Sequence, residues 1–164
     1  RMLIYFSDNI VTYELKDDVT KWGDAEEEPG CLLLGRTVVD PERFGVAVFG
    51  ESGELLDIEE KPAMPQSSMA IGGIYLFDGK FWDYLDEEMK QKKGEFTITD
   101  INRRYISKGK ATLRDIDDYL WLDCGTADAL LEASQLAADG KLSPKPCNIR
   151  DGDWINQYLL HLHC

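Results

Sequence analysis

Short continuous apolar runs alternate along this chain with segments in which apolar residues recur at helical spacing. Residues 2–6 and 31–39 are typical of strands buried on both faces, as in a parallel sheet, and residues 70–77 predict a further strand. Helical spacing appears in four segments, residues 13–22, 81–89, 101–106 and 127–138. Because buried strands need helices to cover them, the alternation predicts a layered α/β fold around a mixed sheet.

A β-hairpin is predicted as an excursion from this sheet. Two apolar segments, residues 46–49 and 55–58, flank the turn-forming residues 50–53. Beyond the hairpin, Pro62 and Pro65 indicate a loop, because proline cannot donate a hydrogen bond to a strand ladder.

Short polar side chains and a glycine mark the ends of the predicted helices. Asp78, Thr99 and Thr126 are predicted N-caps, because their side-chain oxygens can accept a hydrogen bond from a free backbone N–H. Gly140 is the predicted C-terminal cap of the last strong helix, and residues 153–163 are weakly helical. No internal repeat or low-complexity linker divides the chain, so we expect one domain.

The charge balance argues against two classes of partner. Eighteen Lys and Arg residues against 31 Asp and Glu residues give a net charge of −13, and this negative field repels nucleic acids and anionic membranes. The apolar runs are much shorter than the roughly 20 residues that span a bilayer. The N-terminal residues do not resemble a secretory signal, so we expect a cytoplasmic protein.

Cysteine and histidine spacing does not predict a zinc site. The histidines, His161 and His163, lie at the C-terminal end of the chain beside a cysteine. The four cysteines contain no C-x-x-C pair and are expected to be reduced; they are Cys31, Cys124, Cys147 and Cys164.

Two aspartates follow predicted strands and are candidates for chemistry. Asp8 follows the first strand, and Asp123 precedes the turn into the helix capped by Thr126. Each carboxylate could simply stabilise a nearby turn or helix N-terminus. Together they are also what a Mg²⁺ site for phosphoryl or nucleotidyl transfer uses, since Mg²⁺ prefers hard oxygen ligands.

Glu60 and Lys61 form a second candidate pair at the end of the hairpin. The lysine could be a surface residue paired with Glu59 or Glu60. Alternatively, the lysine could neutralise a substrate phosphate while Glu60 accepts hydrogen bonds from sugar hydroxyls. The spacing alone leaves both interpretations open.

Seven segments in sequence order resemble the sugar-1-phosphate nucleotidylyltransferases, most closely the glucose-1-phosphate thymidylyltransferases. The likeness covers nearly the whole chain, and the order and spacing of the segments carry it. The segments are residues 7–10 (SDNI), 39–46 (VDPERFGV), 58–62 (IEEKP), 71–78 (IGGIYLFD), 94–102 (GEFTITDIN), 121–126 (WLDCGT) and 131–134 (LEAS).

The resemblance implies a reaction in which a sugar-1-phosphate oxygen attacks the α-phosphorus of a nucleoside triphosphate and expels pyrophosphate. Asp8 and Asp123 match the family aspartates that hold Mg²⁺, so the implied cofactor is Mg²⁺. The remaining matches imply a binding site for a hexose-1-phosphate. Glu60 would accept hydrogen bonds from the sugar hydroxyls, and Lys61 and Lys93 would bind the sugar phosphate. Gly45 and Gly73 would let the backbone approach the hexose closely, and Tyr75 would line the pocket.

Two positions depart from the family pattern. Lys93 stands where the thymidylyltransferases usually carry an arginine, which keeps the charge but loses the bidentate geometry of a guanidinium. Cys124 stands where threonine is common.

The family's glycine-rich G-x-G-T-R loop, which cradles the triphosphate, does not occur in the sequence. Residues 1–164 therefore resemble one incomplete domain. This domain corresponds to the sugar-phosphate-binding half of a nucleotidylyltransferase, and its fold resembles a truncated nucleotide-sugar transferase fold, which is Rossmann-like. On this interpretation the chain is inactive alone, and a nucleoside triphosphate binds only if another chain supplies the missing half. The alternatives are a non-catalytic sugar-phosphate-binding or assembly module, and a truncated product without function.

We also expect a homo-oligomer, since a sheet without its other half leaves residues 2–6 with an uncovered edge or face.

Overall fold

The structure is a computed structural model that describes residues 1–91 and 94–142. It confirms the predicted layered α/β fold with a mixed sheet. The strands are β1 (Met2–Tyr5), β2 (Asn9–Val11), β3 (Cys31–Thr37), β4 (Gly45–Phe49), β5 (Leu55–Glu60), β6 (Met69–Phe77), β7 (Ala111–Asp115) and β8 (Trp121–Asp123). The α-helices are α1 (Lys16–Asp24), α2 (Phe81–Gln91), α3 (Ile98–Ser107) and α4 (Ala127–Ala138), and a short 3₁₀ turn spans Pro41–Arg43.

The central strand of the main sheet is β6. The strand order is β5-β4-β6-β3-β7, and β1 also pairs with β6. Strand β6 runs antiparallel to β1, β3 and β4, whereas β3 and β7 are parallel. From Ala70 to Phe77 every residue of β6 is buried, because the sheet is covered on both faces there. The predicted hairpin is the antiparallel pair β4–β5.

The two faces of the sheet carry separate apolar clusters. On one face Leu33, Ile71 and Phe77 pack against Phe81 of α2 and Tyr105 of α3. Strands β2 and β8 pair with each other and form a separate two-stranded ribbon. On the other face of the main sheet, residues of the sheet pack with residues of this ribbon and of the segments beside it. The buried members of this second cluster are Leu34, Ala70, Ile74, Ile116 and Trp121. The ribbon therefore covers the face opposite the helices, and its ends carry both candidate aspartates.

Strand β1 differs from the prediction in direction and in burial. It is antiparallel to β6, not parallel. Met2 and Ile4 pack against the core, whereas Leu3 and Tyr5 are 44% and 43% exposed. The prediction of burial on both faces was wrong because, among the described residues, the core covers only the face of β1 that carries Met2 and Ile4.

Two of the predicted helix caps are confirmed. The Thr126 hydroxyl oxygen accepts a hydrogen bond from the backbone N–H of Ala129 at 3.2 Å. Gly140 has a φ of +74°, a left-handed conformation that favours glycine, and its N–H donates to the carbonyl oxygen of Ala137.

The other two caps were assigned to the wrong residues. Helix α3 begins after Thr97, whose backbone N–H donates to the carboxylate of Asp100 at 2.8 Å, so Thr99 lies inside the first turn. Helix α2 begins at Phe81, three residues after Asp78. The buried Asp78 carboxylate instead accepts hydrogen bonds from three groups, the N–H of Gly30, the N–H of Lys80 and the hydroxyl of Tyr105.

Several sequence predictions lie outside the described residues. These are Lys93, Cys147, the helix of residues 153–163, and the C-terminal histidines with Cys164. Within residues 1–91 and 94–142, no helix is both long and apolar enough to cross a membrane.

Candidate functional site

The β2–β8 ribbon brings Asp8 and Asp123 together. Asn9 pairs with Asp123 across the ribbon, and the N–H of Cys124 donates to the carbonyl oxygen of Asp8 at 2.7 Å. A Cβ placed on Gly125 would lie 3.2 Å from Asp123 Oδ1 and 3.7 Å from Asp8 Oδ2. The two carboxylate oxygens are thus no further apart than the sum of these distances, and only hydrogen occupies the glycine position between them.

Asn9 holds Asp8 in place, and the sequence analysis missed this role. Its side chain is buried, with 7% of the residue exposed. The Asn9 amide nitrogen donates to Asp8 Oδ1 at 2.9 Å, while its oxygen accepts from the Gly73 N–H at 3.1 Å and from Trp121 Nε1 at 2.6 Å. The one available signal was the position of Asn9, directly beside the candidate Asp8 in a turn between two strands.

Gly73 is required by packing within the protein. A Cβ there would lie 2.7 Å from Phe6 Cδ2 and 2.9 Å from Asn9 Nδ2, closer than van der Waals contact allows. The missing side chain therefore makes room for Phe6 and Asn9 in this structure, which is a different reason from the close hexose approach that the resemblance implied.

Lys61 has an uncommon backbone conformation. Its φ is +43°, and it is the one non-glycine residue with positive φ in the described part of the chain. Its N–H donates to the carbonyl oxygen of Phe44 at 2.9 Å, which closes the end of the hairpin. Such a conformation costs on the order of 1–3 kcal/mol and is concentrated at functional sites. The strained turn redirects the chain immediately after Glu60.

The Glu60 carboxylate accepts a hydrogen bond from Thr99 and lies beside Gly45, which has no side chain. The hydroxyl of Thr99 donates to Glu60 Oε2 at 2.5 Å. Gly45 lies opposite Glu60 in the β4–β5 register, and a Cβ on Gly45 would lie 3.6 Å from Oε2. A side chain at position 45 would also lie 3.2 Å from Ile58 Cγ2, so the glycine keeps this crowded region free of a further side chain beside Glu60. The sequence motifs predict Glu60 and Gly45 as site residues, whereas they predict Thr99 as a helix cap.

Tyr75 is a buried tyrosine that packs toward the aspartates and is influenced by the charge of Glu60. It is 5% exposed, and burial, followed by the negative charge of Glu60, raises the pKa of its phenol above the usual value near 10. Its ring meets the ring of Phe6 edge to face, with centroids 5.7 Å apart. Phe6 in turn contacts the position of Gly73, beside Asn9 and Asp8. Ring and packing contacts therefore join Tyr75 to Asn9 and Asp8, and Glu60 acts on the Tyr75 phenol through its charge.

Arg43 is a cationic group near Asp123 that the sequence analysis did not select. Its guanidinium donates to Asp40 Oδ2 at 2.7 Å and lies 5.4 Å from the ring centroid of Phe44. Asp40 chiefly, with a smaller contribution from Asp123, raises the pKa of Arg43 above its usual value. The Arg43 charge is thus paired chiefly with Asp40, and Asp123 acts on it more weakly.

The aspartate pair fits a magnesium ion by its chemistry. Both groups offer carboxylate oxygens, and Mg²⁺ in proteins is often held by one or two carboxylates together with waters and substrate phosphates. Burial, and then the negative charges of Asp123 and Asp8, raise the pKa of the Cys124 thiol, so both charges act on the same small space. In residues 1–91 and 94–142, no group of three or more Asp, Glu, His or Cys residues could hold a metal by itself.

The described site residues that were predicted from the sequence divide into two groups. One group is Gly45, Glu60, Lys61 and Tyr75 around the end of the hairpin, and the other is Asp8, Asp123 and Gly73 at the ribbon. Residues that sequence analysis missed in these roles are Asn9, Arg43 and Thr99.

Sequence comparison supports the family resemblance that the motifs indicate. Over 132 residues the chain is 40% identical to glucose-1-phosphate thymidylyltransferase of Xanthomonas campestris pv. campestris, a match covering 80% of this chain and 44% of that protein. The glucose-1-phosphate thymidylyltransferase of Neisseria gonorrhoeae is 37% identical over 111 residues, which are 67% of this chain and 38% of that protein. The chain thus spans less than half the length of these relatives.

Solved structures and a family profile extend this agreement to the fold. A Bacillus anthracis protein described as a glucose-1-phosphate thymidylyltransferase superposes with a TM-score of 0.73 at 38% identity, over 84% of this chain and 55% of that chain. An apo UDP-glucose pyrophosphorylase shares the fold, with a TM-score of 0.69 at 19% identity over 86% of this chain and 55% of that chain. The profile of nucleotidyl transferases matches residues 1–140. This chain therefore belongs to the nucleotidyl transferase family.

Proposed function

We propose that residues 1–164 are the sugar-phosphate half of a sugar-1-phosphate nucleotidylyltransferase of the glucose-1-phosphate thymidylyltransferase type. The observation that carries the proposal is the convergence of the Asp8 and Asp123 carboxylates on Gly125, produced by two strands far apart in sequence. Two converging carboxylates suit a site that handles a metal-bound triphosphate. The similarity to thymidylyltransferases over most of the chain supports the substrate class.

The hexose-1-phosphate binds at the end of the hairpin in this proposal. The Glu60 carboxylate accepts hydrogen bonds from sugar hydroxyls, for which the missing side chain of Gly45 leaves room. Lys61, and Lys93 outside the described residues, neutralise the sugar phosphate. Tyr75 forms the buried wall beside Glu60.

The transfer forms one bond to phosphorus and breaks another. An oxygen of the sugar phosphate attacks the α-phosphorus of the nucleoside triphosphate, and the bond from that phosphorus to pyrophosphate breaks, with its electron pair leaving on pyrophosphate. When bound between Asp8 and Asp123, Mg²⁺ supplies charge neutralisation for the triphosphate. Asn9 keeps Asp8 turned toward the site, and Lys61 lowers the repulsion between the two phosphate groups.

The nucleoside triphosphate requires groups that these residues do not contain. The sequence has no G-x-G-T-R loop, and the chain spans 44% of a matched thymidylyltransferase. We therefore propose that residues 1–164 bind the sugar phosphate, and that transfer also requires a nucleotide-binding loop of the G-x-G-T-R type.

Self-association is part of the proposal. Among the residues that the structure describes, strand β1 is paired on one side only, by β6, and Leu3, Tyr5 and Phe6 are each more than 40% exposed. An unpaired strand edge with apolar side chains favours association with another chain. We propose that this chain forms a homo-oligomer through β1. Sedimentation of a clean monomer at high concentration would contradict this.

Calorimetric titration with glucose-1-phosphate in the presence of Mg²⁺ tests the binding function. The wild-type chain should show saturable binding that Glu60→Ala and Lys61→Ala each abolish. Lys90→Ala is the matched control, because Lys90 pairs with Asp86 on an exposed face of α2. Asp8→Asn and Asp123→Asn should remove the Mg²⁺-dependent part of the binding. A folded wild-type chain that binds no sugar phosphate would refute the proposed function.

A further inference from the structure

Thr99 lies inside α3, behind the proposed sugar-binding carboxylate. It belongs to the first turn of the helix, and 4% of the residue is exposed. Its Oγ1 lies 2.5 Å from Glu60 Oε2. An ionised carboxylate only accepts hydrogen bonds, so the single hydroxyl proton of Thr99 is donated to Glu60. This proton is then unavailable to a ligand, and Thr99 acts on a ligand through Glu60.

Helix α3 presents this hydroxyl from a firmly attached position. Arg103, one turn further along, donates from Nε to the carbonyl oxygen of Ile58 at 2.8 Å and to Asp57 Oδ1 at 2.9 Å. These contacts tie α3 to β5, the strand that ends in Glu60. The capping interaction of Thr97 with Asp100 closes the N-terminus of the same helix. Thr99 and Glu60 therefore keep a constant relative position.

Within residues 1–91 and 94–142, Thr99 supplies the direct hydrogen bond that the structure gives to the Glu60 carboxylate. Glu60 is the exposed last residue of β5, and Gly45 opposite has no side chain to restrict its rotamers. A long flexible side chain loses conformational entropy when a ligand orders it. A hydrogen bond that already holds Oε2 removes part of that cost and leaves Oε1 directed to other donors.

We propose that Thr99 is a positioning residue for hexose-1-phosphate binding, holding Glu60 through Oε2 so that Oε1 accepts a sugar hydroxyl. The inference rests on the proposed function, since it assumes that Glu60 binds the sugar. It adds a buried residue that touches no ligand and determines how strongly the sugar hydroxyl is recognised.

The test compares glucose-1-phosphate with its monodeoxy analogues in calorimetric titrations. Thr99→Val should weaken glucose-1-phosphate binding roughly tenfold, which is the size of one well-formed polar interaction. Thr99→Ser keeps the hydroxyl and should restore wild-type affinity. For the analogue lacking the hydroxyl that Glu60 accepts, Thr99→Val should have no effect. Thr20→Val, on the exposed side of α1, is the control and should bind like wild type.

Each outcome separates the two hypotheses. If wild type binds and Thr99→Val binds equally well, or loses affinity equally for every analogue, the positioning role is wrong and the proposed function stands. If the folded wild type binds no sugar phosphate, both are wrong. Thr99→Ala replaces Thr99→Val if the valine variant does not fold, and urea unfolding of each variant identifies that case.

Discussion

Replacing Asn9 by alanine should reduce the stability of the protein sharply, although the substitution removes only a few atoms. The Asn9 side chain satisfies two buried donors, the N–H of Gly73 and the indole N–H of Trp121, and it donates to Asp8. Alanine cannot accept a hydrogen bond, so both donors lose their partner. In the folded state both are then enclosed by the ribbon and β6, away from water.

The expected loss follows from the number of unsatisfied groups. A buried donor left without an acceptor costs about 1–3 kcal/mol, so two such donors lower the free energy of unfolding by about 2–6 kcal/mol. A domain of ordinary stability has only about 5–15 kcal/mol in total. Urea unfolding followed by tryptophan fluorescence measures the change, and Trp121 reports directly on the affected region.

Two further variants test whether the loss of stability comes from the two unsatisfied donors. Gln66→Ala removes an exposed amide that donates to Glu59, and should change the free energy of unfolding by no more than about 0.5 kcal/mol. Trp121→Phe removes one of the two donors, so Asn9→Ala in that background should cost about half as much. A loss below about 1 kcal/mol for Asn9→Ala alone would refute the argument that these donors depend on Asn9.

Three other perturbations have definite expected outcomes. Gly73→Ala places a Cβ 2.7 Å from Phe6 Cδ2 and should lower the free energy of unfolding by about 1–3 kcal/mol in urea titration. Lys61→Gly relieves a positive φ, so it should raise that free energy by about 1 kcal/mol while abolishing glucose-1-phosphate binding in calorimetry. Burial, and then Asp18, raise the pKa of Tyr13 to about 12, so the stability that this phenol contributes is present below its usual pKa near 10 and disappears as the pH rises through 12. Tyr13→Phe should therefore lose less stability than wild type between pH 10 and 12 in urea titrations.

Each of these expectations can fail in a recognisable way. Unchanged stability of Gly73→Ala would mean that Phe6 moves aside without cost. A less stable Lys61→Gly variant would mean that the left-handed conformation carries no strain. Equal alkaline destabilisation of wild type and Tyr13→Phe would mean that Tyr13 titrates at its usual pKa.

Some residues of the candidate site could be predicted from the sequence, because their type and their position at the end of a strand indicate a chemical role. Asp8, Asp123, Glu60 and Lys61 are charged residues at strand ends, and their segments resemble one family. The roles of Asn9 and Thr99 were not predictable in this way. The sequence indicates only a turn at Asn9 and a helix cap at Thr99, because the partners of both residues come from distant segments.

The sequence by itself determined the kinds of element and much of their order. Apolar periodicity, turn-forming residues and caps act over a few residues, so the hairpin, the buried strand β6 and the start of α4 at Thr126 followed directly from local patterns. The alternation of these elements also predicted the layered α/β class.

Tertiary structure alone decided which elements meet and in which direction. A run such as residues 2–6 has the same composition whether it pairs parallel or antiparallel, and only its pairing with β6 left Leu3 and Tyr5 exposed. The convergence of Asp8 and Asp123 likewise depends on the pairing of β2 with β8, more than a hundred residues apart. Hydrogen bonds and packing between distant segments carry no short-range signal, so they arise only when the whole chain has folded.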